Sequence, residues 1–401
     1  MSIFASVGSS HESDAFTAGA TASRIAKEGL KDAKPSFGFV FASTKFDQQE
    51  MLRGVYSIAP DVAFVGCSSA GEITNGGPLA DPSVVVMMIS GGDTLSFAPG
   101  IGTDIKNGEF NAGAALADSI LARAGKAPLT GCIMFSDGLA GNGAEIVRGA
   151  LSVLGDNFPL VGGSAGDDFE FKKTYQYWNG EPHTGDTVGV GLSGDFVFGV
   201  GVKHGWGVLG LPAKVTKSTN NVVHEIDGKP AFELYEKYFG AEKAKQLREG
   251  NLAQFAVAYP LGIKSKDTDD YLLRAPFSVD ANGAIACTAE IPEGSDVRIM
   301  MGTRKTAIDM ARTAATQALT ALGGKKPKAI FIFNCIARRK LLGEDGGLEI
   351  AAIQEVLGKD VPLVGLYTYG EQAPLDGIVR HLERCNNVFH NETVVIYVIG
   401  E

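Results

Sequence analysis

The chain has 401 residues, 45% hydrophobic and 20% charged, a composition that suits a compact soluble protein of two domains or more. Its net charge of −10, with basic residues scattered apart from short runs such as Lys325-Lys326 and 337–340, argues against nucleic acid as a partner. The first twenty residues lack a basic and an apolar signal region, and the most apolar run, 84–89, is far short of a membrane span. Five widely spaced cysteines without a C-x-x-C pair fit a reducing compartment, so a cytoplasmic protein with no membrane insertion is expected.

In chain order, the first strong pattern is an apolar run at 37–41, an amphipathic helix at 48–58 and a second run at 62–65 that ends in Gly66-Cys67-Ser68-Ser69-Ala70-Gly71-Glu72. A buried strand at 83–90 and an Ala-rich helix at 111–124 follow. The pattern then recurs: a strand at 132–135 with Ser136-Asp137-Gly138, a helix at 144–154, and 159–161 running into Gly162-Gly163-Ser164-Ala165-Gly166-Asp167. Strands at 187–192 and 196–202 flank Ser193-Gly194-Asp195, which reads as a hairpin turn. Gly210-Leu211-Pro212 and the polar run 216–221 read as a crossover into a second half.

That half opens with a strand at 222–226 and a helix begun at Pro230, whose core face is Phe232, Leu234, Tyr235, Tyr238 and Phe239. A helix at 303–322 stops at Gly323-Gly324. The third copy comprises a strand at 329–333, a helix at 348–357, and 362–364 running into Gly365-Leu366-Tyr367-Thr368-Tyr369-Gly370-Glu371. A last strand spans 393–399. These elements imply an α/β fold of two related modules, 1–212 and 213–401, with βαβ repeats and central mixed sheets flanked by helices.

Parallel strands deliver their turns to one sheet edge, where ligands bind. In the repeats an acid follows the leading glycine by six residues twice (Gly66 to Glu72, Gly365 to Glu371) and by five once (Gly162 to Asp167). The plainer reading is that the glycines serve tight turns and the acids cap nearby amides.

The sequences 66–73, 135–139, 159–167 and 225–231 together resemble the N-terminal module of FIST proteins. Phe333-Asn334-Cys335-Ile336-Ala337-Arg338, the helix at Glu349-Ile350, 364–371 and His390-Asn391-Glu392-Thr393 resemble the C-terminal module. The resemblance implies a bacterial or archaeal intracellular sensor of small ligands. On this resemblance the two modules account for nearly the whole sequence, and a separate signalling protein such as a histidine kinase is expected to carry the response. Some members sense nitric oxide through haem. The expected ligand site draws on Cys67, Ser68, Glu72, Ser136, Asp137, Gly163, Ser164, Asp167, Cys335, Arg338, Tyr367, Tyr369, Glu371, His390 and Asn391.

Three chemistries compete for that site. A b-type haem carrying a diatomic gas needs an imidazole ligand, for which His224 comes first, on an apolar strand, ahead of His204 and His381. An amino acid needs Arg338 on its carboxylate, Glu371 on its ammonium and tyrosines as walls, against which stands an internal Arg–Glu salt bridge with no ligand. A Cys- or Ser-dependent enzyme needs Cys335 near His390, or Ser136 near Asp137 and His204, with Cys67 as a lone nucleophile; no catalytic motif supports it. The Ala-rich helices at 111–124 and 306–321 make a homodimer plausible.

Overall fold

The computed structural model describes residues 2–264, 270–375 and 387–401. The first module supplies β1 (Phe4–Ser10), α1 (Ala15–Gly29), β2 (Phe37–Ser43), α2 (Gln48–Ile58), β3 (Phe64–Ser69), β4 (Glu72–Thr74), β5 (Gly77–Pro78) and β6 (Val84–Ser90). It continues with β7 (Leu95–Gly102), α3 (Glu109–Ala124), β8 (Leu129–Ser136), α4 (Gly143–Leu154), β9 (Leu160–Ser164), β10 (Gln176–Trp178), β11 (Glu181–His183), β12 (Thr187–Gly194) and β13 (Val197–Lys203). After an inserted lobe come α5 (Arg304–Ala321), β14 (Pro327–Cys335), α6 (Ile336–Leu342), α7 (Gly346–Leu357), β15 (Leu363–Thr368), β16 (Glu371–Pro374), β17 (Asn387–His390) and β18 (Val394–Gly400).

Each repeat forms a parallel pair around its helix: β2 with β3, β8 with β9, β14 with β15. The three pairs do not share one sheet edge. Each nucleates its own six-stranded sheet, in the orders β1-β6-β2-β3-β10-β11, β17-β16-β9-β8-β12-β7 and β13-β18-β14-β15-β4-β5. The short hairpin after each repeat leaves its own sheet and extends the next one: β4–β5 joins β15, β10–β11 joins β3, and β16–β17 joins β9. This cyclic exchange interlocks the two modules, and β13 pairing with β18 ties them again.

The sheets face one another across a single core. Phe39 and Phe41 of the first, Phe135 and Val190 of the second, and Phe331, Phe333 and Val395 of the third belong to one buried cluster. Ring centroids lie 4.8 Å apart for Phe39 and Phe331 and 5.3 Å apart for Phe41 and Phe135. Outside, α1 packs with α2, α3 with α4, and α5 with α7. Strands buried on both faces explain why the repeats read as continuous apolar runs rather than as alternations.

Residues 206–264 and 270–302 form the lobe, a sheet of nine described strands with short helices around its own core, including Val215, Ile226, Phe232, Tyr235 and Ile285. Three local expectations change here. β12 and β13 do not form a hairpin, since β12 pairs with β7 and β8 while β13 crosses to the third sheet. A turn signal reports a change of direction, not the identity of the partner strand. The polar run 216–221 belongs largely to the strand Ala213–Thr219, paired with Val222–Ile226. Pro230 lies in a short bridge to that strand, and the helix starts at Glu233.

The Ala-rich helices meet their own chain. Added Cβ atoms at Gly199 and Gly201 of β13 would lie 1.9 and 1.8 Å from the carbonyl oxygens of Ala318 and Ala314, so α5 rests directly on that strand. Ala112, Leu116, Ala117 and Ile120 of α3 are likewise buried. Those small-residue faces pack against their own chain. Among the described residues no helix is long and apolar enough to cross a membrane.

Candidate functional site

Parallel pairing brings the ends of β3, β9 and β15 together at one end of the core, where the three turns clasp one another. The Gly166 amide donates to the Ser68 carbonyl, the Ser164 amide to the Gly370 carbonyl, and the Tyr367 amide to the Gly71 carbonyl. The return bonds run from the Ser68 hydroxyl to the Gly166 carbonyl, from the Tyr369 amide to the Ser164 carbonyl, and from the Ala70 amide to the Tyr367 carbonyl. The leading glycines do not open onto hollows. A Cβ at Gly66 or Gly162 would lie 1.8 or 1.9 Å from a carbonyl oxygen of the neighbouring strand.

The acids after these turns are structural. Glu72 accepts from the Ser69 hydroxyl at 2.6 Å and from Ser83, and Glu371 accepts from the Thr368 and Thr393 hydroxyls at 2.6 and 2.7 Å. Burial lifts both carboxyls from 4.5 to about 7. Asp167 caps the amides of Phe171, Lys172 and Lys173 at 2.7–3.0 Å and takes the Tyr369 hydroxyl.

A cavity of about 320 Å³ opens beside the second and third turns, where the lobe closes over the core. The core side contributes Asp137, Ser164, Cys335, Tyr369, Asn391 and Glu392; the lobe contributes Asn221, Pro276, Phe277 and Thr288. Its aromatic wall is continuous, with Phe171 stacked on Tyr369 at 5.1 Å and on edge to Phe169 at 5.4 Å. The Thr288 hydroxyl crosses from lobe to core to reach Asn391 Oδ1 at 2.9 Å, and Arg274 reaches the Phe389 carbonyl at 3.2 Å.

Glu392 is the anomaly of this site. It is fully buried, its backbone adopts a left-handed φ of 61°, and neither carboxyl oxygen has a hydrogen-bond partner among the described residues. Burial, reinforced by the Glu371 charge, raises its pKa well above the carboxylate range. Native proteins rarely leave such a group unsatisfied, and each orphaned atom costs about 1–3 kcal/mol.

Family models for the FIST N domain and the FIST C domain match residues 36–229 and 231–374. The chain belongs to the FIST family. An uncharacterized protein of Methanocaldococcus jannaschii is 29% identical over 212 residues, covering 48% of this chain and 38% of that protein. This FIST chain therefore spans less than half the length of that relative. Cyanuric acid hydrolase from A. caulinodans superposes with a TM-score of 0.40 at 11% identity, covering 99% of both chains. PurLQS from Thermotoga maritima superposes with a TM-score of 0.24 at 11% identity, covering 99% of this chain and 72% of that one.

Of the residues singled out in this FIST sequence, Asp137, Ser164, Cys335, Tyr369 and Asn391 line the cavity. The others have structural partners. Arg338 is fully buried and spends its guanidinium on Glu349 (2.9 Å from Nε, 2.5 Å from Nη2), on the Ala307 carbonyl at 2.7 Å and on the His204 carbonyl. The internal salt bridge, not a ligand grip, is what Arg338 makes. Cys67 sits in the central cluster, Ser68 joins two turns, Ser136 bonds Ser164 at 3.0 Å, and Gly163 pairs with Glu371 in the sheet. Tyr367 is buried with its ring against Arg339.

No histidine among the described residues lines the cavity. His204 Nδ1 accepts the Trp206 amide, His390 Nε2 meets the Ala373 carbonyl at 3.2 Å, and burial lowers these rings to about 4 and 3. His224 lies on the lobe, 3.3 Å from the Thr219 hydroxyl. His381 lies outside the described residues. Among the described residues no imidazole reaches this cavity to ligate a haem iron. Among the described residues no hydrogen bond joins Cys335 or Ser136 to a histidine, and burial beside Glu371 pushes the Cys335 thiol up, away from a nucleophilic thiolate. The described residues contain no cluster of ligating side chains able to hold a metal ion.

Glu392, Thr288 and the Phe277 wall were not singled out from the sequence. Glu392 stands inside the His-Asn-Glu-Thr motif, so a signal existed; its lack of partners is a tertiary fact.

Proposed function

We propose that this FIST protein is a non-enzymatic sensor whose small ligand occupies the 320 Å³ cavity between the second turn, the third turn and the lobe. One observation carries the reading. The cavity has predominantly apolar walls, a few convergent polar groups, and contributions from three elements that only tertiary structure brings together. A ligand there touches both modules at once. It stabilises the arrangement in which lobe and core clasp it, and the differential affinity for that arrangement is the signal.

The lobe meets the core through polar contacts, the Thr288–Asn391 hydrogen bond and the Arg148–Glu290 ion pair at 2.8 Å, and through an apolar cluster of Ala289 with Ala144 and Phe389. A partner signalling protein such as a histidine kinase reads the change. Family membership supports a sensory role.

A thermal-shift screen of small organic compounds tests the reading. Stabilising compounds should lose their effect in Ala275→Trp, which fills the cavity from the lobe side. Shifts that persist in that variant would move the site elsewhere and sink the proposal.

A further inference from the structure

We infer that the ligand is an organic ammonium ion with an apolar or aromatic body, its N–H groups donated to Glu392. The inference rests on the cavity being the ligand site and adds the chemical class of the guest.

Three observations converge. Glu392 is among the residues lining the cavity, and its two buried carboxyl oxygens have no hydrogen-bond partner among the described residues. An ammonium brings up to three donors and the opposite charge, so it supplies both what the carboxylate lacks as hydrogen bonds and what burial denies it as solvation. A neutral guest with one hydroxyl supplies one donor and no charge.

The second observation is the sign of the lining. Among the described residues, Asp137 and Glu392 line the chamber and no lysine, arginine or histidine does. The lysines nearby, Lys106, Lys172 and Lys173, belong to an open outer bowl on the far side of Asp137. A free amino acid would bring its carboxylate into a chamber that already holds two acids. Arg338, the group that would neutralise it, is bound to Glu349. An amine without a carboxylate brings no second anion that the chamber would leave unpaired.

The third is the wall. Phe169, Phe171, Phe277, Phe389 and Tyr369 surround the space, offering ring faces that attract a cation and burying an apolar body. At the rim the Asp137 oxygens accept the Leu139 and Gly185 amides at 2.7 and 2.8 Å.

Four probes sharing one phenyl body separate the possibilities by calorimetry: phenethylamine, 2-phenylethanol, phenylalanine and phenylacetate. Phenethylamine should bind best, about tenfold or more above the alcohol, with phenylalanine weaker and phenylacetate silent. In Glu392→Gln the amine should lose about tenfold or more while the alcohol is retained, which shows the variant folded with its cavity intact. Equal affinity for amine and alcohol, or preference for phenylalanine, overturns the ammonium assignment and leaves the cavity as a ligand site. If no probe binds and Ala275→Trp leaves every screening hit unchanged, the cavity reading itself has failed.

Discussion

Glu371 holds the donors that Glu392 lacks. The amide and hydroxyl of Thr393, the residue after Glu392, both go to Glu371 Oε2, at 3.2 and 2.7 Å, while both Glu392 oxygens stay bare. The charge on Glu371 also disfavours ionisation of Glu392, so two neighbouring buried acids divide into one satisfied group and one that awaits a donor.

If Glu392 is kept for binding, it costs stability. Glu392→Met replaces the orphaned carboxyl with an unbranched apolar chain of similar length. Urea denaturation should show the ligand-free variant more stable by about 1–3 kcal/mol. A less stable variant would mean that the carboxyl has a partner in solution.

The buried acids make stability depend on pH. Glu72 and Glu371 hold protons up to about 7, against 4.5 when unfolded, so their contribution is complete below 4.5 and disappears as pH rises through 7. His204 and His390 act in the opposite sense. Their contribution is present above 6.5 and is lost as pH falls through about 4 and 3. Glu371→Gln removes one acid from the balance, and its amide nitrogen can face Thr368, whose hydroxyl can donate to the Asn334 carbonyl instead. Relative to wild type, the variant should gain about 3 kcal/mol between pH 4.5 and 8 in urea titrations. A pH-independent difference would refute the assignment.

Arg338→Met strands Glu349 in the core, with only Asn334 Nδ2 left to it at 2.7 Å. The expected loss is about 3–5 kcal/mol, and Arg338→Met with Glu349→Met should recover much of it. Ligand affinity in the double variant should match wild type. A folded double variant that no longer binds would return Arg338 to the site.

In a haem titration the spectra should not respond to His204→Ala or His224→Ala, because neither ring lines the cavity. A sharp band abolished by His224→Ala would place haem on the lobe and reverse this expectation.

The repeats were legible because their elements are local. The helix over 48–58 and the strand over 222–226 coincide with Gln48–Ile58 and Val222–Ile226, since period and capping depend on near neighbours. The hairpin expected at Ser193-Gly194-Asp195 failed because strand pairing is set by distant partners: β8 and β7 on one side, β18 on the other. Five of the fifteen residues expected in the ligand site reached the cavity. Arg338 and Glu371 carry the right chemistry, but hydrogen-bond partners far along the chain had already satisfied them.

The sequence by itself determined three βαβ units, their parallel pairing, their polar turns and the family. Only the tertiary structure decided that each trailing hairpin joins a different sheet, that the turns clasp one another, and that the hollow lies beside them under the lobe. Local patterning decides which face of an element is apolar. Which polar group remains unsatisfied depends on everything that packs around it, and that is where Glu392 became visible.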